Sequence, residues 1–239
     1  MRQRNIKNLE ERLELNSEFL VENPRECKGR WAEVFGNDNP IYLEIGCGKG
    51  KFILSHAADE RNVNYIAVEG QSSVVLRALE KASEAQLDNL RIFIDFVHDL
   101  GDYFDKGELD GLYLNFSDPW PKARHAKRRL TFRKNLENYK TVLKEGAFIE
   151  FKTDNEGLFE FTLEEIEACG YEIVEMTRDL HGTGDEDCAC EALDDERRSC
   201  DKTCKVKNHT QKQFDSANFM TEYEEKFSRA GKNINYVKF

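Results

Sequence analysis

No stretch of this 239-residue chain approaches the ~20 consecutive apolar residues that a membrane-spanning helix needs. The opening residues, Met1-Arg2-Gln3-Arg4-Asn5, lack the apolar core of a secretory signal, so a cytoplasmic location is expected. There is no internal repeat. Without a secretory signal the seven cysteines, an odd number, are expected as reduced thiols rather than as a disulfide framework. Cys27, Cys47 and Cys169 are scattered, whereas Cys188, Cys190, Cys200 and Cys204 cluster. Acid exceeds base, and the net charge of −11 taken alone argues against a nucleic-acid partner.

The charge is unevenly placed. Residues 122–140 carry Lys122, Arg124, Lys127, Arg128, Arg129, Arg133, Lys134 and Lys140 against Glu137 alone, a net +7 that leaves −18 for everything else. An acidic protein with one dense basic stripe points to a directed anion-binding face, and the plainer alternative is a solvated helix face. With 39% hydrophobic and 34% charged residues, the chain is long enough for one large domain with a real core. The expected organisation is a single domain over 1–239, with a helical extension over 1–30 and a flexible, acidic, Cys-rich insertion over 182–215.

The order of elements indicates an α/β fold. Residues 6–22 have helical spacing, with Ile6, Leu9, Leu13, Phe19 and Leu20 on one side, and Pro24 ends it. Short apolar runs at 41–45, 65–68, 90–96, 111–116, 147–151 and 171–177 read as strands, separated by helical stretches at 51–58, through 85, at 131–143 and at 156–168. A final strand is expected over 234–239. Such alternation predicts a mostly parallel sheet covered on both faces, whose ligands sit at the carboxyl ends of the strands.

Glu44-Ile45-Gly46-Cys47-Gly48-Lys49-Gly50 supplies glycines where the first strand turns into a helix, so a ligand can lie directly on the backbone. A dinucleotide loop would space its glycines as GxGxxG and set pyrophosphate on the helix N-terminus. The spacing here is GxGxG, and the preceding acid would repel pyrophosphate but suits an ammonium or sulfonium. S-adenosylmethionine carries both. Glu69, at the end of the second strand, is placed to accept two ribose hydroxyls. Together these residues favour a class I methyltransferase site over an NAD site.

The fourth strand runs into Asn115-Phe116-Ser117-Asp118-Pro119-Trp120-Pro121-Lys122, where two of only four prolines bracket a tryptophan. A rigid aromatic corner after a strand-end acid is how methyltransferases acting on nucleobase nitrogens present a base to the donor. The same chain carries Phe35 to Pro40, Arg124-His125 with Lys127-Arg128-Arg129, Phe151 to Asn155 and Thr221 to Phe227. With these motifs it resembles the tRNA (guanine-N7)-methyltransferase family along nearly its whole length, residues 182–215 excepted. The resemblance implies a Rossmann-like class I fold with a mostly parallel seven-stranded sheet and helices on both faces. It further implies methyl transfer from S-adenosylmethionine to N7 of the guanosine called G46 in the tRNA variable loop. Glu44, Gly46, Gly48, Glu69, Phe96 and Asp118 would then face the cofactor, with Asp118 also catalytic. Lys122, Asp154, Thr221, Glu222, Tyr223 and Glu224 would face the substrate, and Arg124, Lys127, Arg128 and Arg129 the RNA. Where the family often has an acid for the adenine amine, this chain has Phe96, with Asp95 one residue away.

Guanine N7 already has a free lone pair, so methyl transfer there needs placement and a tolerant field for positive charge rather than a general base. Asp118 is accordingly expected to act by geometry and electrostatics. Plainer roles exist for its companions: Asp154-Asn155 could be a helix N-cap, and Glu222, Glu224 and Glu225 an exposed helix face. Cys188-x-Cys190, Cys200-x3-Cys204 and His209 match no familiar zinc spacing, and no metal is assigned. No obligate protein partner is implied. The competing functions are methylation of another RNA, a small-molecule substrate that the basic run disfavours, and RNA binding without catalysis.

Overall fold

The computed structural model describes residues 6–182 and 217–239. Its sheet is built from β1 (Ile41–Ile45), β2 (Asn64–Glu69), β3 (Leu90–Ile94), β4 (Leu109–Asn115), β5 (Leu143–Thr153), β6 (Glu175–Thr177) and β7 (Asn235–Lys238). The strand order is β3-β2-β1-β4-β5-β7-β6. The first five in chain order pair in parallel, and β7 runs antiparallel between β5 and β6. The helices are α1 (Leu9–Glu14), α2 (Trp31–Phe35), α3 (Lys51–Asp59), α4 (Ser72–Ala85), α5 (Arg133–Val142), α6 (Glu156–Ala168) and α7 (Glu222–Ser228).

Strand alternation divides the core between the two faces of the sheet. Leu43, Ile66, Val68, Leu112 and Leu114 pack with Trp31, Leu136, Tyr139, Leu158 and Phe159, which belong to α2, α5 and α6. Tyr65, Ala67, Ile92 and Tyr113 point the other way, onto Phe52, Ile53, Ala57, Val75 and Leu79 of α3 and α4. The period of two in each strand therefore decides which helices it meets. Successive connections go outward from β1 to β2 and β3, and β4 returns to the opposite side of β1. That reversal opens a crevice at the carboxyl ends of β1 and β4.

Three expected elements change. The helix expected over 6–22 stops after Glu14, because Asn16 and Ser17 favour a turn and the Asn16 amide donates to the Arg12 carbonyl at 2.8 Å. Phe19, Leu20 and Val21 then run beside the edge strand β3, with Ile92 N donating to Phe19 O at 2.7 Å and Val21 N to Ile92 O at 2.8 Å. The apolar residues counted toward a helix thus cover a sheet edge. The third strand ends at Ile94, short of Phe96. The strand expected from Tyr171 begins only at Glu175, since Tyr171 serves the helical layer: its hydroxyl donates to Leu136 O at 2.8 Å and its ring meets Phe239. The insertion expected over 182–215, with Cys188, Cys190, Cys200, Cys204 and His209, lies outside the described residues apart from Gly182.

Helix α7 is too short to hold itself and is fixed by ion pairs to three separate elements. Glu222 accepts from Lys81 of α4 at 2.9 Å, and Glu225 pairs with Lys51 at the start of α3. Glu224 meets Lys152 of β5 at 3.3 Å, with neither side chain exposed at all. Thr221 and Glu224 also form a reciprocal capping box at the helix start. Burial pulls the Lys152 ammonium below its usual range, and Glu224 and Glu150 oppose that pull. Replacing one partner of such a pair strands the other in the interior. Glu224→Gln should therefore cost about 3–5 kcal/mol of stability in urea unfolding, whereas Glu222→Gln, in a half-exposed pair, should cost under about 1 kcal/mol.

Candidate active site

Glu44 lies on β1 one residue before the sheet edge, and the strand pairing that buries it sets it beside β4. The Asn115 amide donates to Glu44 Oε1 at 2.8 Å. Glu44 Oε2 and Asn115 Oδ1 are buried without a hydrogen-bond partner among the described residues. Burial pushes the Glu44 carboxyl up from 4.5 to about 7, against the opposing pull of Asn115 and Lys152. A buried carboxylate with one free oxygen is a site waiting for a cation or a donor. Beyond it the chain turns through Gly46 (φ +81°) and Gly48 (φ +58°), where a Cβ would meet nothing within 4 Å, so one side of the loop is open backbone. Glu69 at the end of β2 closes the other side, accepting from Gly48 N and Gln71 N at 3.2 Å each. Phe96 is 65% exposed and lays its ring on Gly70, where a Cβ would come within 2.3 Å of it. Asp95 is committed elsewhere, to the Tyr103 hydroxyl at 2.7 Å and Arg25 at 3.4 Å.

These residues fit the cofactor expected from the sequence. A free carboxylate oxygen on Glu44 suits an ammonium, an acid at the end of β2 suits a ribose, and an exposed aromatic ring beside it offers a purine a flat apolar neighbour. Among the described residues no group of three or more His, Cys, Asp or Glu side chains could hold a metal ion.

Past Asn115 the chain makes its corner. Phe116 and Trp120 have φ of +50° and +40°, a left-handed conformation that costs a non-glycine residue about 1–3 kcal/mol and persists only where the surroundings enforce it. Phe116 N donates to Lys152 O at 2.9 Å, and its ring stands 5.0 Å from that of Tyr223. Asp118 is exposed, at the head of the corner. The Trp120 ring has the Arg128 guanidinium over its face at 4.8 Å and the His125 ring edge-on at 5.8 Å.

On the far side of the corner Asp154 follows β5. The residue that caps α6 is its neighbour Asn155, whose side chain accepts from Leu158 N at 2.8 Å. Asp154 is thereby released from capping and accepts from Lys232 at 3.3 Å and Tyr223 Oη at 3.4 Å. Tyr223 is 44% exposed and tilts against Phe227. Thr221 and Glu222 precede it, one as the cap of α7 and the other paired with Lys81. Glu224, expected at the substrate, is instead fully buried, shared by Lys152, by His181 at 2.8 Å and by the Thr221 backbone at 3.2 Å. Of the three acids read as a possible exposed helix face, Glu224 is buried, while Glu222 and Glu225 are part-exposed and each pairs with a lysine.

Lys122, Arg124, Lys127 and Arg128 are exposed along one short segment, a 3-10 helix over Ala123–Arg128. Arg129, expected beside them, is half-buried and turns its guanidinium back onto the corner, donating to Pro119 O at 3.0 Å and Trp120 O at 3.1 Å. Asn115, Lys152 and His181 carried no individual expectation. A lysine closing the apolar run 147–151 was the only available sign that a buried counter-ion was needed.

Known proteins match this chain along its whole length. A family described as "putative methyltransferase" matches residues 38–190. The chain is 42% identical over 238 residues to a tRNA (guanine-N(7)-)-methyltransferase of Streptococcus suis, covering 100% of this chain and 98% of that protein. It is 44% identical over 234 residues to one of Lactococcus lactis subsp. cremoris, covering 98% and 95%. In fold it is similar to an antibiotic-related methyltransferase, with a TM-score of 0.57 at 16% identity and coverage of 88% and 92%. A 16S rRNA methyltransferase gives a TM-score of 0.55 at 9% identity, covering 88% and 91%. By the extent and level of the sequence match, the chain belongs to the tRNA (guanine-N(7)-)-methyltransferase family.

Proposed function

We infer that this protein transfers a methyl group from S-adenosylmethionine to N7 of a guanosine in tRNA, and that the guanosine is the one in the variable loop called G46. The observation that carries this reading is the meeting, at one sheet edge, of the half-free Glu44 carboxylate, the exposed Asp118 corner and a segment of exposed cations. S-adenosylmethionine supplies an electrophilic methyl on a sulfonium. The guanine N7 lone pair forms the new N–C bond, the C–S bond breaks with its electrons on sulfur, and no proton is lost at N7. Glu44, Gly46, Gly48, Glu69 and Phe96 hold the donor. Asp118 positions the purine and stabilises the positive charge that appears on it. Asp154 and Tyr223 meet the guanine, the one with a carboxylate acceptor for N1–H and the exocyclic amine, the other with a ring. Thr221 and Glu222 carry Tyr223 on α7, and the buried Glu224 holds that helix in place.

Lys122, Arg124, Lys127 and Arg128 take phosphates, which supplies affinity and salt dependence, while the shape of the tRNA supplies selection. A tRNA substrate implies a cytoplasmic enzyme. Among the described residues no helix is long and apolar enough to cross a membrane.

Three outcomes check this reading. Labelled methyl should enter unmodified tRNA and fail to enter tRNA lacking the variable-loop guanine; equal labelling of both defeats the site, and labelling of neither defeats the enzyme. Arg124→Ala should weaken tRNA binding and reduce the slope of log K against log salt by about one. The third concerns Glu44, whose folded carboxyl sits near 7 rather than 4.5. Because it holds a proton on folding, its contribution to unliganded stability falls as pH rises from 4.5 through 7. A cationic ligand favours the ionised form and expels that proton. Donor affinity measured by calorimetry should therefore rise up to about tenfold per pH unit below 7 and level off above it, and Glu44→Gln should abolish the dependence.

A further inference from the structure

We propose that Arg129 is a positioning residue for the Asp118 corner, holding the backbone at Pro119 and Trp120 rather than meeting RNA phosphate. Its Nε donates to Pro119 O at 3.0 Å and its Nη2 to Trp120 O at 3.1 Å, so one planar fork grips two consecutive carbonyls. The fork is held from behind. Its guanidinium lies 4.2 Å over the Phe161 ring of α6, and its own carbonyl accepts from Asn135 of α5 at 2.8 Å. The neighbouring cations Arg124, Lys127 and Arg128 are exposed, whereas Arg129 is half-buried.

The corner needs such a grip. Trp120 is held at φ +40° between two prolines, and Phe116 at φ +50° enters the same turn. Prolines have no N–H, so this stretch cannot be fixed by a backbone ladder, and its carbonyls must find donors from side chains or water. A guanidinium satisfies both carbonyls in one fixed plane, which a lysine ammonium cannot do. Asp118 is joined directly to Pro119, so any drift of the corner moves the carboxylate against the purine. In-line methyl transfer is sensitive to such drift, because a misplacement of ~1 Å can cost about 100-fold in rate. The inference rests on the reading of the site as a tRNA methyltransferase centre.

The test compares the wild type with Arg129→Lys and Arg129→Ala, using unmodified tRNA and S-adenosylmethionine. Lys keeps the charge and loses the fork. Both variants should lose about 10–100-fold in kcat while keeping the tRNA Kd, its salt slope and the donor Kd. A corner readout independent of activity is available, since the chain has two tryptophans and Trp31 is fully buried. Acrylamide quenching therefore reports Trp120, and it should increase in both variants. Should the Ala variant be too unstable to assay, the Lys variant carries the comparison alone. The proposal is overturned if Arg129→Lys restores the wild-type rate, if Arg129→Ala lowers the salt slope by about one at unchanged kcat, or if quenching does not change. With an active wild type those results remove the clamp and leave the methyltransferase reading standing. A wild type that labels no tRNA overturns both.

Discussion

A single 2.8 Å hydrogen bond, from the Asn115 amide to the buried Glu44 carboxylate, joins the ends of β1 and β4 at the point where the strand order reverses. The turns that leave both strands start from that junction. The hydrogen bond occupies one oxygen and leaves the other buried and free, which is an unfavourable condition for a folded protein standing alone. The cost is reduced by letting the carboxyl hold a proton up to about pH 7.

Asn115 is also the last residue of β4, so whatever holds it there aims the residues that follow. The chain leaves the strand through Phe116 in a left-handed conformation and reaches Asp118 within three residues. Asn115, which holds Glu44, and Asp118 are therefore separated by a single turn. Strain in that turn is balanced by the contact of the Phe116 ring with Tyr223 and by the Arg129 guanidinium on the Pro119 and Trp120 carbonyls.

The third wall of the crevice is α7, which is tied down by charge rather than by apolar packing. Its three acids reach lysines on α3, α4 and β5. The exposed pairs contribute little individually, whereas the buried Lys152–Glu224 pair fixes the register of the helix, since removing either charge leaves the other without compensation. This brings Tyr223 over Phe116 and beside Asp154, joining a C-terminal element to the corner and to the end of β5.

The amino-acid sequence by itself determined the alternation of strands and helices, the side of the sheet where ligands bind, and the residue types gathered there. These are local properties: period-two and period-3.6 apolarity, glycines where the backbone must turn, and an acid one residue from a strand end. It also carried the family through the run from Asn115 to Lys122. Tertiary structure alone decided which groups remain free to act. Glu224 and Arg129 looked like equals of Asp154 and Arg128 along the chain, yet each is consumed by partners 72 and 10 residues away. Phe19 and Leu20 looked helical, yet they line an edge strand more than 70 residues distant. A charge or an apolar side chain is assigned by what it meets, and that meeting is made by long-range packing, which no local pattern records.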